Sequence, residues 1–176
     1  MRPFKSLLAT TLLLLIASCG GSTPADSVNA GFTSLNEGSH SEALGSFNAA
    51  LAGMETSDPK FTEAKVGQIR AQSYIDPAKA KADLLGLDKA SGVTAKDYNQ
   101  IVTDFVASAT AGASKDEKAA QNTIGYAVEI LTSGKQSFPE YTKWDGLIKR
   151  AGDTAKSLGA AGALDSLKGL GYVGGD

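Results

Sequence analysis

Residues 31–54, GFTSLNEGSHSEALGSFNAALAGM, hold the pattern that decides the fold. In its second half, six apolar residues follow the i, i+1, i+4, i+7, i+8, i+11 spacing of one helix face: Ala43, Leu44, Phe47, Ala50, Leu51 and Met54. A shorter helical pattern precedes them and begins just before the quoted stretch, with Val28, Gly31, Phe32 and Leu35. The segment therefore predicts two helices, and the short turn between them requires antiparallel packing.

The same organisation continues through the rest of the chain, with helical patterns separated by short loops and no convincing strand. Ser39 with Glu42 has the spacing of a capping box, and Asp76 and Thr94 are further N-cap candidates. Gly134 is expected to end the sixth helix, because glycine commonly follows a helix C-terminus. We therefore expect an all-α domain of about seven helices.

The opening segment resembles a tetratricopeptide repeat. In that family a Gly of the first helix faces a close-packed Ala of the second, and an aromatic residue and another Ala follow at i+4 and i+7. The corresponding residues here are Gly31, Ala43, Phe47 and Ala50. The resemblance implies stacked antiparallel helical hairpins, with Phe47 filling the gap toward the next hairpin.

The repeat period gives partial support to this resemblance. At a shift of 34 residues, typical of the family, Leu44 meets Ala78 and Leu51 meets Leu85. Phe47, however, meets a lysine, and no third repeat aligns after about residue 90. The alternative is a generic helical bundle that uses small residues at its contacts.

The first residues have the three parts of an export signal. A positive start is followed by an apolar run at 7–16, which is shorter than the roughly 20 residues that span a bilayer. The run ends in Ile16, Ala17, Ser18 and Cys19. This ending resembles the lipobox of bacterial lipoproteins, which implies cleavage before Cys19 and a lipid on its sulfur. The alternative is an ordinary secretory signal with an incidental cysteine.

These features predict four segments. Residues 1–18 are a removed signal peptide, 19–26 a lipidated Cys and flexible tether, 27–158 the helical domain and 159–176 a Gly/Ala-rich tail. In enteric bacteria an Asp after the lipidated residue retains a lipoprotein in the inner membrane. Gly20 at that position favours the outer membrane, with the domain facing the periplasm or the cell surface.

Composition gives no support for catalysis, a cofactor or nucleic-acid binding. Without residues 1–18, 15 Lys and Arg stand against 19 Asp and Glu, a net charge of −4, and such a chain has no basic surface for nucleic acid. The single histidine, His40, lies in the turn between the first helices and is expected to be solvated. We find no metal-ligand set and no catalytic set of residues.

The sequence therefore favours a protein-binding or assembly scaffold anchored to a membrane through Cys19. Stacked hairpins present a concave face lined by first helices, where six polar residues are expected to face an envelope protein or peptide: Asn29, Thr33, Asn36, Lys65, Gln68 and Gln72. One alternative is a structural envelope lipoprotein without a peptide ligand. A glycan-processing enzyme is the other.

Overall fold

A computed structural model describes residues 23–87 and 91–174. These residues form eight α-helices and no strand, which confirms the all-α class and adds one helix to the expected number. The signal peptide, Cys19 and the tether up to residue 22 lie outside the described residues. The helices are α1 Pro24–Asn36, α2 His40–Ala52, α3 Phe61–Gln72, α4 Pro77–Leu85, α5 Ala95–Gly112, α6 Glu117–Ser137, α7 Trp144–Ser157 and α8 Ala161–Gly169.

Side-chain caps set several of the helix starts. The Thr94 side chain accepts a hydrogen bond from the Asp97 backbone N–H at 3.3 Å, and the Asp97 carboxylate accepts from the Thr94 N–H at 2.8 Å. Asp76 caps α4, as predicted, by accepting from the backbone N–H of Lys79. The prediction for Ser39 is half right, because it is the N-cap of α2 but makes no side-chain capping bond.

The helices pack in a regular order. Each odd-numbered helix packs against the even-numbered helix that follows it. Contacts also connect α1 to α3, α3 to α5 and α5 to α7, and among the even-numbered helices α4 to α6 and α6 to α8. Helix α3 additionally packs on α2, so it lies at the centre of the amino-terminal half.

Two hydrophobic clusters share α3 between them. The first lies among α1, α2 and α3, and α3 contributes Ala64 and Ala71 to it. The second extends from α3 to the carboxyl-terminal residues, and there α3 contributes Val66 and Ile69. Because a helix has 3.6 residues per turn, these two pairs lie on different faces of the same helix. Helix α3 therefore joins the two clusters.

The Phe47 ring is the closest-packed group of the first cluster. It is fully buried, and a Cβ added at Gly31 would lie 2.7 Å from its nearest ring carbon. A Cβ added at Gly67 of α3 would lie 2.4 Å from the Cε1 and Cζ atoms of the ring, the same two carbons that are nearest to Gly31. Phe47 thus fills the space between α1 and α3, and only glycine at both neighbouring positions leaves room for it.

Gly134 also makes room for aromatic rings. The prediction that it ends α6 is wrong. The helix continues to Ser137, and a Cβ at Gly134 would lie 2.8 Å from the Trp144 ring and 2.9 Å from the Tyr98 ring. The Trp144 indole N–H donates to the Phe138 carbonyl oxygen at 2.8 Å. Gly134 is therefore a close-packing residue inside the helix.

The ends of the domain extend beyond the expected bounds. Helix α1 begins at Pro24, inside the segment expected to be a flexible tether. At the other end, α8 places fully buried Leu167 in the second cluster, and the Tyr172 ring packs directly on Gly152 of α7. The Gly/Ala-rich residues therefore contribute to the core as far as Tyr172.

We predict that Gly67→Ala destabilises the domain by about 1–3 kcal/mol, because the Phe47 ring already contacts Gly31 and cannot move away. The matched control is Gly45→Ala on α2, where an added Cβ meets nothing within 4 Å. That change should stabilise the helix by about 0.5–1 kcal/mol. Urea unfolding of the two variants would contradict the packing if both midpoints moved in the same direction.

Candidate functional site

The predicted binding residues of α1 are open to solvent. Asn29, Thr33 and Asn36 are all exposed, and the Thr33 hydroxyl donates to the Asn29 backbone carbonyl at 3.1 Å. The carboxamides of Asn29 and Asn36 make no hydrogen bond within the described residues. These three side chains therefore lie on the surface, as expected.

The predicted residues of α3 have a different environment. The Lys65 ammonium donates to the Gln68 side-chain oxygen at 2.7 Å, and the Gln68 amide donates to the Asn48 side-chain oxygen at 2.6 Å. Gln72 is only 8% exposed, so the expectation that it faces outward is wrong. No side-chain hydrogen bond joins this set to the α1 residues in the described ranges. The α3 set is instead tied to α2 through Asn48.

A groove lies among the even-numbered helices α4, α6 and α8. It has a volume of about 600 Å³ and runs along α6, with α4 on one side and α8 on the other. Its lining combines apolar surface with amide and hydroxyl groups, from Leu85, Gln121, Asn122, Gly125, Tyr126, Val128, Glu129, Thr132, Ser133, Gln136, Gly162, Ala163 and Ser166.

The spacing of residues along α6 places several polar groups in this groove. Asn122, Ser133 and Gln136 make no side-chain hydrogen bond within the described residues, so their polar atoms are available to a ligand. A Cβ at Gly125 or Gly162 would meet nothing within 4 Å, which leaves open space at both helices. The groove therefore offers free carboxamide and hydroxyl groups beside uncrowded backbone.

The charges at the groove compensate one another. Glu129 accepts from the Lys81 ammonium at 2.8 Å, and this ammonium also lies 4.5 Å from the centre of the Tyr126 ring. Leu85 on α4 is 42% exposed and adds an apolar edge. The surface thus suits an uncharged ligand with hydrogen-bonding groups and a small apolar side.

A part-buried polar cluster contains residues of α2, α3 and α5. The Asp104 carboxylate accepts from the Arg70 guanidinium at 2.7 Å and from the Tyr74 hydroxyl at 3.4 Å. Burial raises the pKa of Asp104 above its usual value, and its bonds to Arg70 and Tyr74 act in the opposite direction. Burial, together with the Asp104 charge, raises the pKa of Tyr74 to about 12.

His40 belongs to this cluster, so the expectation of a solvated turn residue is wrong. It is the first residue of α2, and its ring stacks on Tyr74 with centres 3.7 Å apart and planes 3° from parallel. Burial lowers the pKa of His40, and the charge of Asp104 opposes this effect. His40 and Tyr74 are 34 positions apart, so no local pattern in the sequence indicates this contact.

Other features of chemical interest are structural. A glycan site could use an aromatic ring beside a carboxylate, as at Trp144 and Asp145, but Trp144 is only 2% exposed while Asp145 is exposed. Within residues 23–87 and 91–174, no group of three His, Cys, Asp or Glu residues could hold a metal ion. No helix in the same ranges is both long enough and apolar enough to cross a membrane.

Comparison with known proteins adds no functional information: no family model, curated protein or solved structure matches the chain.

We predict that Asp104→Ala lowers the free energy of unfolding by about 1–3 kcal/mol, because it leaves the part-buried Arg70 guanidinium without its partner. Asp165→Ala is the matched control, since the Asp165–Lys168 pair is largely exposed and should contribute little. Urea midpoints that shift equally in the two variants would show that the Arg70–Asp104 pair has no special role.

Proposed function

We propose that this chain is a lipoprotein that acts as a non-catalytic protein-binding scaffold at the membrane of the cell envelope. The observation that carries the proposal is the groove along α6, whose free carboxamide and hydroxyl groups can bind a polypeptide backbone. Its binding groups are not arranged for proton transfer, since its one carboxylate, on Glu129, is paired with Lys81.

We further propose that the domain is a stack of antiparallel helical hairpins similar to tetratricopeptide repeats. The contacts support this arrangement, because α1–α2, α3–α4, α5–α6 and α7–α8 pack as pairs, and contacts among α1, α3, α5 and α7 connect each pair to the next. The position of Phe47 between Gly31 and Gly67 is also what the resemblance implies. Such stacks form extended surfaces that bind other proteins.

The groove fits an extended segment of a partner protein. Asn122 and Gln136 are 14 positions apart on one helix, which corresponds to about 21 Å at 1.5 Å per residue. An extended chain covers that distance in about six residues. Carboxamides at the two ends both donate and accept hydrogen bonds, as a peptide backbone requires. This location revises the expectation that first helices alone bind the partner.

The lipid on Cys19 would keep this surface near a membrane. Thr23, the N-cap of α1, is four positions after Cys19, so at most about 14 Å of chain separates them. An anchored domain meets other membrane-bound proteins at a raised effective concentration. A partner in the envelope, at the outer membrane in view of Gly20, therefore requires only modest affinity.

We predict that Cys19→Ser abolishes acylation and leaves an uncleaved or misprocessed precursor. The reason is that the thioether can form only on the cysteine sulfur. Metabolic labelling of cells with an alkyne fatty acid, followed by gel analysis of the tagged protein, measures both effects. Labelling of the variant at the level of the native protein would refute the lipoprotein assignment.

We predict that a photoreactive residue at position 122 or 136 crosslinks to a partner protein in cells. The control is position 96 on α5, an exposed lysine outside the groove. Position 33 on α1 tests the first-helix surface in the same experiment. Partner bands as strong at 96 as at 122, or no bands at 122 and 136, would remove the case for this groove and favour a structural envelope role.

A further inference from the structure

The contact between His40 and Tyr74 contains an unsatisfied polar atom. The Nδ1 of His40 is buried and has no hydrogen-bond partner in the described part of the chain. The stacked Tyr74 ring covers one face of the imidazole. The neutral imidazole tolerates this environment when Nδ1 carries no proton, because an unpaired acceptor is less costly than a buried charge.

We propose that His40 is a pH-sensitive latch between the first pair of helices and the rest of the domain. Its neutral ring stays stacked on Tyr74, and its protonation releases the ring and loosens α1 and α2 from α3 and α5.

Protonation conflicts with the position of the ring in two ways. Both nitrogens of the charged imidazole are donors, and the buried Nδ1–H would find no acceptor within the described residues. The charge would also lie in the first turn of α2, where the helix dipole is positive and disfavours a cation. Both conflicts end if the ring leaves the stack and enters water.

The charged and titratable groups around His40 come from three neighbouring segments. Tyr74 follows α3, Asp104 belongs to α5, and Arg70 of α3 neutralises much of the Asp104 charge. On α1 and α2 the nearest carboxylates in sequence, Glu37 and Glu42, are exposed. The charge that opposes the lowered pKa of His40 is therefore that of part-buried Asp104, and its pairing with Arg70 weakens that opposition.

The released contact joins the two halves of the domain. Helix α2 packs mainly on α1 and α3, while Tyr74 connects it to α5 by donating to Asp104. Next to this bond, the Ser108 hydroxyl of α5 donates to the Ser73 backbone carbonyl at 3.0 Å. Loss of the His40 stack removes the contact between α2 and Tyr74. The hydrogen bonds from Tyr74 to Asp104 and from Ser108 to Ser73 remain.

The direction of the pH effect follows from linkage. The pKa of His40 is lowered in the folded state relative to its ordinary value. The closed state is therefore favoured above about pH 6.5 and loses stability as the pH falls below it. Asp104 has the opposite effect, since its raised pKa lets the folded state take up a proton first. The measurement therefore covers about pH 5.5 to 7.5, on both sides of the ordinary histidine pKa of about 6.5.

Proton NMR of the protein purified in detergent micelles provides the first test, because the chain has a single histidine and gives one imidazole titration curve. We expect a midpoint below the ordinary value of about 6.5. A midpoint at or above that value would overturn the proposal.

Amide hydrogen exchange of the same sample provides the second test. After correction for intrinsic rates, exchange in α1 and α2 should rise relative to α6 between about pH 7.5 and 5.5, by up to about tenfold. His40→Phe keeps an aromatic ring on Tyr74 without a titrating group and should abolish the rise. An unchanged ratio in the native protein, or the same rise in His40→Phe, would overturn the latch.

Discussion

The fold depends on the place that one aromatic ring occupies between two glycines. Phe47 projects from α2 and contacts Gly31 of α1 and Gly67 of α3, so it sets the distance between the first helix of one pair and the first helix of the next. Phe32 adds an edge-on contact at 4.9 Å. Because protein cores are close-packed, a ring in this position leaves little freedom in how the neighbouring helices approach. The helices that follow pack on a different face of α3, which also contributes to the second hydrophobic cluster.

Sequence reasoning succeeded mainly where the signal is local, although the Ser39–Glu42 spacing is also local and forms no side-chain cap. The apolar face around Phe47, the Asp76 cap and the Thr94 cap depend on residues a few positions apart, and the structure contains all three. It failed where the role of a residue depends on contacts with residues far away in the sequence. Gly134 has the local character of a helix stop, yet Trp144 and Tyr98 need its small size inside α6.

The candidate site shows the same limit. Asn29 and Thr33 could be placed on the surface from helical spacing, but the hydrogen bond from Gln68 to Asn48 depends on how α2 and α3 pack. The groove along α6 requires three helices that are far apart in sequence, so spacing within α6 alone does not reveal it. The contact of His40 with Tyr74 does not follow from the sequence for the same reason, because the two residues are 34 positions apart.

The most direct test of this account is the environment of the two glycines that face Phe47. An aromatic ring shifts the resonances of protons over its face, so NMR of Gly31 and Gly67 reports its position. The account predicts ring-shifted α-proton resonances at both glycines and nuclear Overhauser contacts from each to the Phe47 ring. Ordinary α-proton shifts at either glycine, without contacts to that ring, would contradict it.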